Sequence, residues 1–337
     1  MNIILVIGRD IISSQRTYIV QTVPILNENR VHEWRDFFMS EKIKTILALL
    51  IIIILLPIVL TFFLQSGKIE LPNFMDRLIK VPQEKEAEEE ATEVLTGILA
   101  GQISTDFDPE VLKAQAVLVR TGYERDKAAG KETAYSLSLN EMEQMWGSEK
   151  LKSNYERCRR AVVQTKGEVL TYQDQYILPC YTRVSAGRTR EADSLGGEET
   201  PYLKSVLCDS DILSEDYLAV LFYSFDEFRK KMGLSEEVTE EEVEKIQVKT
   251  DTAGYVSQVK VGEFVISGDE MRERFELNSP CFFIRRVDDQ MRIVTKGLGH
   301  GYGMSQYAAN IMASSEKNYK EILTYFFPGT VLTKNIE

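Results

Sequence analysis

A glycine-rich segment near the C-terminus, residues 297–306 (GLGHGYGMSQ), carries glycine at every second position and one histidine, His300. The spacing excludes a dinucleotide-binding fingerprint, because glycine is needed where Tyr302 stands, and no GK[ST] follows for a phosphate-binding loop. Alternate glycines instead let a backbone adopt positive φ and approach a ligand or another strand closely. His300 is equally suited to structural hydrogen bonding, ligand contact and proton transfer.

A second segment, residues 176–204 (YILPCYTRVSAGRTREADSLGGEETPYLK), has glycine-rich turns and no helical period. This pattern predicts loops and short strands, which are the usual places for binding residues on a rigid scaffold. The segment is rich in hydroxyl and charged side chains. It is therefore the second candidate binding segment.

Two predicted helices precede these segments. Apolar residues recur at i, i+1, i+4 and i+5 from Thr92 to Gln102, which indicates one face of a helix. Asp108 and Pro109 predict the N-cap and first residue of a second helix, which continues until Gly130. A short polar turn that begins at Gln102 joins the two helices.

These segments, in this order, resemble the signatures of the stage II sporulation protein D family of cell-wall glycan-cleaving proteins. LTGILAGQISTDFDPEVLKAQAVLVRT resembles the opening motif. SAGRT at 185–189 and PYLKSV at 201–206 resemble the second signature, and GLGHGYGMSQYAA resembles the third. The resemblance covers about residues 92–335. It implies one extracytoplasmic, two-lobed α+β domain with helices and antiparallel sheet around a cleft.

Position 102 departs from the family pattern. The family normally has glutamate there, taken to be the catalytic acid of a lytic transglycosylase, which splits the glycan strands of peptidoglycan. A carboxylic acid with a raised pKa delivers a proton to the leaving oxygen, whereas the amide of Gln102 cannot. Asp106, Asp108, Glu110 and Glu191 are possible replacements, although Asp108 is expected to cap a helix. Loss of a general acid typically costs on the order of 10²- to 10⁴-fold in rate.

The resemblance also implies a set of substrate-binding side chains. Hydroxyls and cations hydrogen-bond sugar oxygens, and a tyrosine face stacks on a pyranose ring. For Arg120, the alternative is an ordinary cation on a helix surface. The predicted substrate-binding residues are Arg120, Ser185, Thr189, Tyr202, Lys204, His300, Ser305 and Gln306.

Metal and cofactor sites are not expected. Cys158, Cys180, Cys208 and Cys281 are far apart and form no CxxC pair, so we expect buried or singly disulfide-linked thiols. Some family members are thought to hold zinc through histidines and a cysteine in the second signature. Thr182 occupies the usual histidine position here, and Cys180 alone is not a zinc site.

The overall charge excludes one class of partner. Lys and Arg total 40 against 52 Asp and Glu, giving a net charge of −12, so nucleic acid is not an expected partner.

Alternation in residues 246–266 and around Asp288 predicts antiparallel hairpins, and residues 267–277 predict a short capped helix. Helices and paired strands without βαβ spacing favour α+β over a doubly wound sheet.

Residues 45–64 are uncharged and almost wholly apolar, which predicts a transmembrane helix. Lys42 and Lys44 flank its start, so residues 1–44 are expected in the cytoplasm and the C-terminal portion outside the cell membrane. We expect an uncleaved single-pass anchor and translation from Met39. Residues 65–91 end in an acidic run that predicts a stalk unable to fold alone, followed by the domain at 92–335.

Three functions are compatible with these features. The first is binding and impaired cleavage of peptidoglycan glycan strands in sporulation or cell-wall remodelling. The second is a non-catalytic glycan-binding module that recruits or enhances a cell-wall amidase. The third is a structural anchor in a division or sporulation complex, with other sporulation membrane proteins as partners. Forespore engulfment, vegetative wall turnover and competition between cells would all use one glycan-binding cleft.

Overall fold

A computed structural model describes residues 53–56 and 71–334. The chain divides into two compact units, residues 1–82 and 83–337. The predicted cytoplasmic segment 1–44 lies outside the described residues, as does all of the predicted membrane segment except 53–56. Within the described ranges, no helix is both long enough and apolar enough to cross a membrane.

The described residues form an α+β structure, as the sequence predicts. The helices are α1 Leu71–Gln102, α2 Pro109–Ala128, α3 Leu139–Trp146, α4 Ser148–Gln164, α5 Phe225–Met232, α6 Glu240–Glu244, α7 Gly268–Phe275, α8 Gln306–Ser314 and α9 Tyr319–Phe326. A 3₁₀ turn spans Asp209–Leu213.

The strands are short and pair mostly in antiparallel fashion. They are β1 Glu168–Tyr172, β2 Gln175–Tyr176, β3 Tyr181–Thr182, β4 Ala192–Leu195, β5 Glu198–Leu203, β6 Leu218–Ser224, β7 Gln247–Thr250, β8 Val256–Val261, β9 Phe264–Ile266, β10 Phe282–Val287, β11 Gln290–Lys296, β12 Met304–Ser305 and β13 Val331–Lys334. The sheets have the orders β13-β1-β2, β10-β11-β6, β7-β8-β9 and β4-β5, and β12 pairs with β3 in parallel.

The boundaries of α2 follow from local signals. The Asp108 side chain accepts a hydrogen bond from the Glu110 N–H at 2.8 Å, and Pro109 is the first helical residue. The helix ends at Ala128, two residues before Gly130, which has φ +64°. The predicted N-cap and first residue of this helix are confirmed.

The first helix is longer than the sequence predicts. It begins at Leu71, so residues 71–91 are helical; their role as a stalk stays a prediction. Residues 84–91 (EKEAEEEA) are all Glu, Lys or Ala, which are strong helix formers and favour a helix in this part of the run. Glu89 also pairs with Arg159 at 2.7 Å, which ties this part of α1 to α4.

Buried apolar side chains form two clusters within residues 83–337. The first surrounds α2 and includes side chains of α1, α4, α8 and α9. The second surrounds β8 and β11 and includes side chains of α5 and α7. The signature segments lie on or beside the first cluster.

The predicted hairpins are present around the second cluster. β7 and β8 are joined through a turn at Gly254, and β10 and β11 through Asp288, both of which have positive φ. α7 begins after Ser267, whose side chain accepts a hydrogen bond from the Glu270 N–H at 3.0 Å. β6 completes the β10-β11-β6 sheet and has no counterpart among the sequence predictions.

Candidate functional site

Gln102 is the last residue of α1 and belongs to a network of three glutamine side chains. Gln115 Nε2 donates to Gln102 Oε1 at 3.0 Å. Gln306 Nε2 donates to the backbone oxygen of Gln102 at 2.9 Å and to Gln115 Oε1 at 3.2 Å. Gln115 and Gln306 are buried, whereas Gln102 is partly exposed. The network therefore joins the opening motif to the third signature.

The direction of these hydrogen bonds fixes the orientation of the Gln102 amide. Its oxygen accepts from Gln115, so its Nε2 donor points away from the network. Among the residues whose side chains the structure describes, this donor has no hydrogen-bond partner. The amide can therefore donate to a ligand oxygen while its own oxygen stays anchored.

The acids beside Gln102 have other partners. Asp108 caps α2, and its backbone N–H donates to Asn310 Oδ1 of α8 at 2.8 Å. Glu110 accepts from the Tyr319 N–H at 2.9 Å. Asp106 is exposed. Within the described residues, no carboxylate is hydrogen-bonded to the Gln102 amide.

Arg120 lies inside the protein and binds backbone carbonyls. Its guanidinium donates to the carbonyl oxygens of Thr165 at 2.6 Å and Val162 at 2.7 Å, and only 6% of the residue is exposed. The last carbonyls of a helix lack intrahelical donors, so Arg120 satisfies the C-terminal end of α4. This placement gives the side chain a structural role, and its contact with a sugar stays a prediction.

The second and third signature segments run side by side. β3 pairs in parallel with β12, and the Tyr307 N–H donates to the Arg183 oxygen at 3.1 Å. A Cβ atom on Gly303 would lie 2.0 Å from the Cys180 oxygen, and one on Gly297 would lie 2.7 Å from the Val184 oxygen. Both glycines have positive φ. The predicted close approach of the glycine-rich segment to another strand is confirmed.

A buried acid that the sequence reasoning missed joins the same two segments. Asp211 Oδ2 accepts from the Ser185 N–H at 2.7 Å and from Ser305 Oγ at 2.8 Å. Burial raises the pKa of this carboxyl, although the hydrogen bonds oppose the effect. Ser305 also caps α8, because its Oγ accepts from the Ala308 N–H at 3.3 Å. Asp211 lies soon after the PYLKSV match, but no periodicity marks it as buried.

Thr189 and Tyr202 hold the backbone of the second segment. Thr189 Oγ1 donates to the Lys204 oxygen at 3.0 Å and accepts from the Val206 N–H at 2.9 Å. The Tyr202 hydroxyl accepts from the Leu178 N–H at 2.7 Å. Both side chains are buried, so their hydroxyls have structural partners.

Lys204 and Glu191 bind each other. Lys204 Nζ lies 2.9 Å from a Glu191 oxygen and 3.3 Å from an Asp193 oxygen. These three side chains are at least two-fifths exposed, which makes them accessible to a ligand. The Glu191 carboxylate is therefore engaged by a cation rather than by the Gln102 amide.

A cavity of about 500 Å³ lies beside Tyr202, between the end of α2, the β1–β2 turn and β5. The Tyr202 and Tyr172 rings are 5.7 Å apart, and Arg125 pairs with Glu198 at 2.5 Å. The full lining is Arg125, Ala128, Ala129, Lys131, Tyr172, Gln173, Gln175, Tyr176, Glu198, Glu199, Pro201 and Tyr202. Aromatic faces and planar polar groups are the side chains that suit a sugar.

His300 has a defined tautomer. The Tyr302 N–H donates to His300 Nδ1 at 3.0 Å, so the neutral ring carries its proton on Nε2. Burial, followed by the charges of Arg272 and Arg190, lowers the pKa of His300 to about 4. Arg190 also lies over the Tyr302 ring at 4.5 Å. His300 is thus neutral at pH 7 and makes a structural hydrogen bond.

The cysteines are thiols. Cys158, Cys208 and Cys281 are buried, and Cys180 is partly buried. Burial raises the pKa of Cys180 to about 11, so this sulfur is protonated at neutral pH and is a weak metal ligand or nucleophile. Among the described residues, no group of three or more His, Cys, Asp or Glu side chains is arranged to hold a metal ion.

The predicted site residues therefore fall into separate groups. Gln102 is hydrogen-bonded to Gln306, and Ser185 and Ser305 are both hydrogen-bonded to Asp211. Glu191 forms an ion pair with Lys204. Arg120, Thr189, Tyr202 and His300 are held by backbone groups.

Comparisons with known proteins identify the family of this chain. The model of the family described as "Stage II sporulation protein" matches residues 84–172. The proteins named "Stage II sporulation protein D" from Bacillus amyloliquefaciens and Bacillus subtilis (strain 168) are each 32% identical over 256 residues, covering 72% of this chain and 74% of the relative. A protein named "Amidase enhancer" from Bacillus subtilis (strain 168) is 25% identical over 291 residues, covering 71% of this chain and 40% of the relative. The chain belongs to the stage II sporulation protein D family.

Proposed function

We propose that this chain binds the glycan strands of peptidoglycan during cell-wall remodelling in sporulation, and that it cleaves them weakly or not at all. Membership in a family named for sporulation supports the process. The observation that carries the proposal is the Gln102 amide, anchored at a helix end with a free donor.

The position of Gln102 suits an acid, although an amide occupies it. A carboxyl group at the C-terminal end of a helix faces the negative end of the helix dipole, which raises its pKa. A raised pKa is the property that a general acid needs near neutral pH. Gln102 keeps the hydrogen-bonding ability of the position and loses the transferable proton. Binding should therefore persist where turnover does not.

Other surfaces of the domain support glycan binding. Lys204 and Glu191 are exposed, and the cavity beside Tyr202 combines two tyrosine rings with the Arg125–Glu198 pair. In this proposal the glycan strand contacts these groups together with Gln102, as the predicted cleft requires.

The test uses the full chain in detergent and cell-wall sacculi stripped of stem peptides. We expect the wild-type chain to pellet with sacculi and to release little or no anhydro-disaccharide. The Gln102→Glu variant should release it faster, by on the order of 10²- to 10⁴-fold. Gln144→Glu, on an exposed position of α3, is the matched control and should change nothing.

Two results would contradict the proposal. One is rapid wild-type release that survives substitution of Asp106, Glu110 and Glu191, because the chemistry would then lie elsewhere. The other is wild-type protein that fails to pellet with sacculi, because the glycan contact would then be absent.

A second function, enhancement of a cell-wall amidase, is favoured by the relative named "Amidase enhancer". Here the chain would present glycan to an amidase, and position 102 would not matter. We expect the wild-type chain and Gln102→Glu to increase equally the rate at which a purified amidase releases stem peptides. Stimulation by Gln102→Glu alone would assign the effect to glycan cleavage instead.

We also propose that residues 45–64 anchor the chain in the cell membrane, with the domain at 92–335 outside it. The apolar length and the preceding Lys42 and Lys44 support this topology. Protease added to intact protoplasts should degrade the domain and spare the cytoplasmic segment that precedes residue 45. Complete protection of the domain would contradict the topology.

A further inference from the structure

The β10-β11-β6 sheet has one face inside the protein. Leu221, Ile284 and Ile293 belong to the second apolar cluster or pack against it. Side chains alternate between the two faces of a strand, so the residues between them form the opposite face. Antiparallel sheets with one buried face normally present polar side chains on the other.

The opposite face of this sheet is apolar and exposed. Leu218, Val220 and Phe222 on β6 are 58%, 50% and 51% exposed, and Phe283 on β10 is 46% exposed. The register places Val220 and Phe283 on either side of Val294 on β11, which is buried between them with 9% exposure. We call these five residues the apolar sheet face. A contiguous exposed apolar patch on a soluble domain usually marks an interaction surface.

Three cations stand on the same side of the sheet. Arg292 lies between Phe222 and Arg285 in register, and Lys296 lies opposite Leu218. In the part of the chain that the structure describes, none of these cations forms an ion pair, and Arg292 Nε is buried without a hydrogen-bond partner. Arg286, next on β10 and on the other side, pairs with Glu240 and Glu244.

Charge and shape together select the occupant. Three unpaired cations beside an apolar row in a chain of net charge −12 are complementary to acidic groups beside an apolar stripe. The row of Phe283, Val294 and Val220 runs across the strands, with Arg292 two residues to one side and Lys296 two residues to the other. At about 3.4 Å per residue the two cations are about 14 Å apart along β11, which leaves room for one α-helix, about 10–12 Å across, laid over the row. A second copy of this chain would set the same cations against each other, which disfavours self-association.

We propose that the apolar sheet face and its three cations bind an amphipathic helix of a partner protein whose apolar stripe is flanked by acidic residues. The apolar stripe would cover Val220, Val294 and Phe283, and the acidic flanks would pair with Arg285, Arg292 and Lys296. The surface lies apart from the Gln102 network, so this proposal does not depend on the proposed glycan function.

The probe is a fluorescein-labelled 18-residue peptide with leucine at helical spacing and flanking glutamates, titrated with the full chain in detergent and followed by anisotropy. A second peptide replaces every glutamate with lysine. The variants are Arg285→Glu and Phe222→Ser. Lys249→Glu is the matched control, because Lys249 is exposed on β7 and forms no ion pair within the described residues.

We expect the wild-type chain and Lys249→Glu to bind the glutamate peptide alike. Arg285→Glu and Phe222→Ser should each weaken binding at least about tenfold, and Arg285→Glu should gain affinity for the lysine peptide. A cooperative thermal unfolding transition, with a Tm well above the temperature of the binding assay, shows that each variant is folded.

Three results would overturn the proposal. The first is equal wild-type affinity for the glutamate and lysine peptides. The second is dimerisation of the wild-type chain that Phe222→Ser abolishes, which would make the occupant a second copy. The third is binding of fluorescent short-chain phosphatidylglycerol with no binding of either peptide, which would make the face a lipid contact.

Discussion

Protonation of His300 should destabilise the folded protein in mild acid. The Tyr302 N–H donates to His300 Nδ1, so a proton on that nitrogen breaks the hydrogen bond and places a cation near Arg190 and Arg272. The pKa of His300 is about 4 in the folded protein, whereas an unperturbed histidine, as in the unfolded chain, has a pKa of 6.5. Between these values the unfolded chain binds more protons, so the free energy of unfolding falls as the pH falls through this window.

The magnitude follows from the difference of the two pKa values. A difference of 2.5 corresponds to at most about 3.4 kcal/mol, because each pKa unit is worth about 1.36 kcal/mol. The ring retains some solvent contact, and pH 4.5 does not complete the titration. We therefore expect a loss of about 2 kcal/mol between pH 7 and pH 4.5, equivalent to a fall in Tm of about 4–8 °C.

The comparison variant is His300→Asn. Its side-chain oxygen can accept from the Tyr302 N–H, as Nδ1 does, but it does not titrate. Thermal unfolding of both proteins at pH 7, 5.5 and 4.5 isolates the histidine, because all other acids are common to the pair. The difference in Tm should shift in favour of the variant as the pH falls. A constant difference across this range would refute the reasoning.

Three substitutions, one of them with a matched control, test other contacts by urea unfolding at pH 7. Gly303→Ala should cost more than about 3 kcal/mol, because its Cβ would meet the Cys180 oxygen at 2.0 Å, whereas Gly262→Ala, with positive φ in open space, should cost only about 1 kcal/mol. Equal costs would contradict the close approach. Asp211→Ala should cost about 3–5 kcal/mol, because it leaves buried donors of two signature segments without an acceptor. A loss below about 1 kcal/mol would show that solvent replaces it. Arg120→Met should cost about 2–4 kcal/mol while leaving sacculus binding by the folded fraction unchanged, and selective loss of binding would instead place Arg120 at the ligand.

Elements with local signals were predictable from the sequence. Asp108 and Pro109 mark the start of α2, and alternating residues around Asp288 mark the β10–β11 hairpin. Each signal is carried by a few adjacent residues, because the conformation of a helix start or of a hairpin turn is set mainly by the residues that form it. The start of α1 was missed because a charged run without apolar period is compatible with both a helix and a disordered chain.

Contacts between distant residues were not predictable. Arg120 binds carbonyls that lie 42 and 45 residues away along the chain. Asp211 accepts hydrogen bonds from residues 26 and 94 positions away, and no motif in the sequence predicts that it is buried. The glycine-rich segment was an intermediate case. Its spacing indicated a close approach, but only the fold identifies the partner as the strand beside Cys180 rather than a ligand.

The glutamine network has a genetic consequence. Gln115 presents an N–H donor to the side-chain oxygen at position 102, and a glutamate there would accept the same hydrogen bond without moving its neighbours. Glutamine and glutamate codons differ by one base. A single-base change at codon 102 would therefore introduce a carboxyl group into a position that already offers it a hydrogen-bond donor.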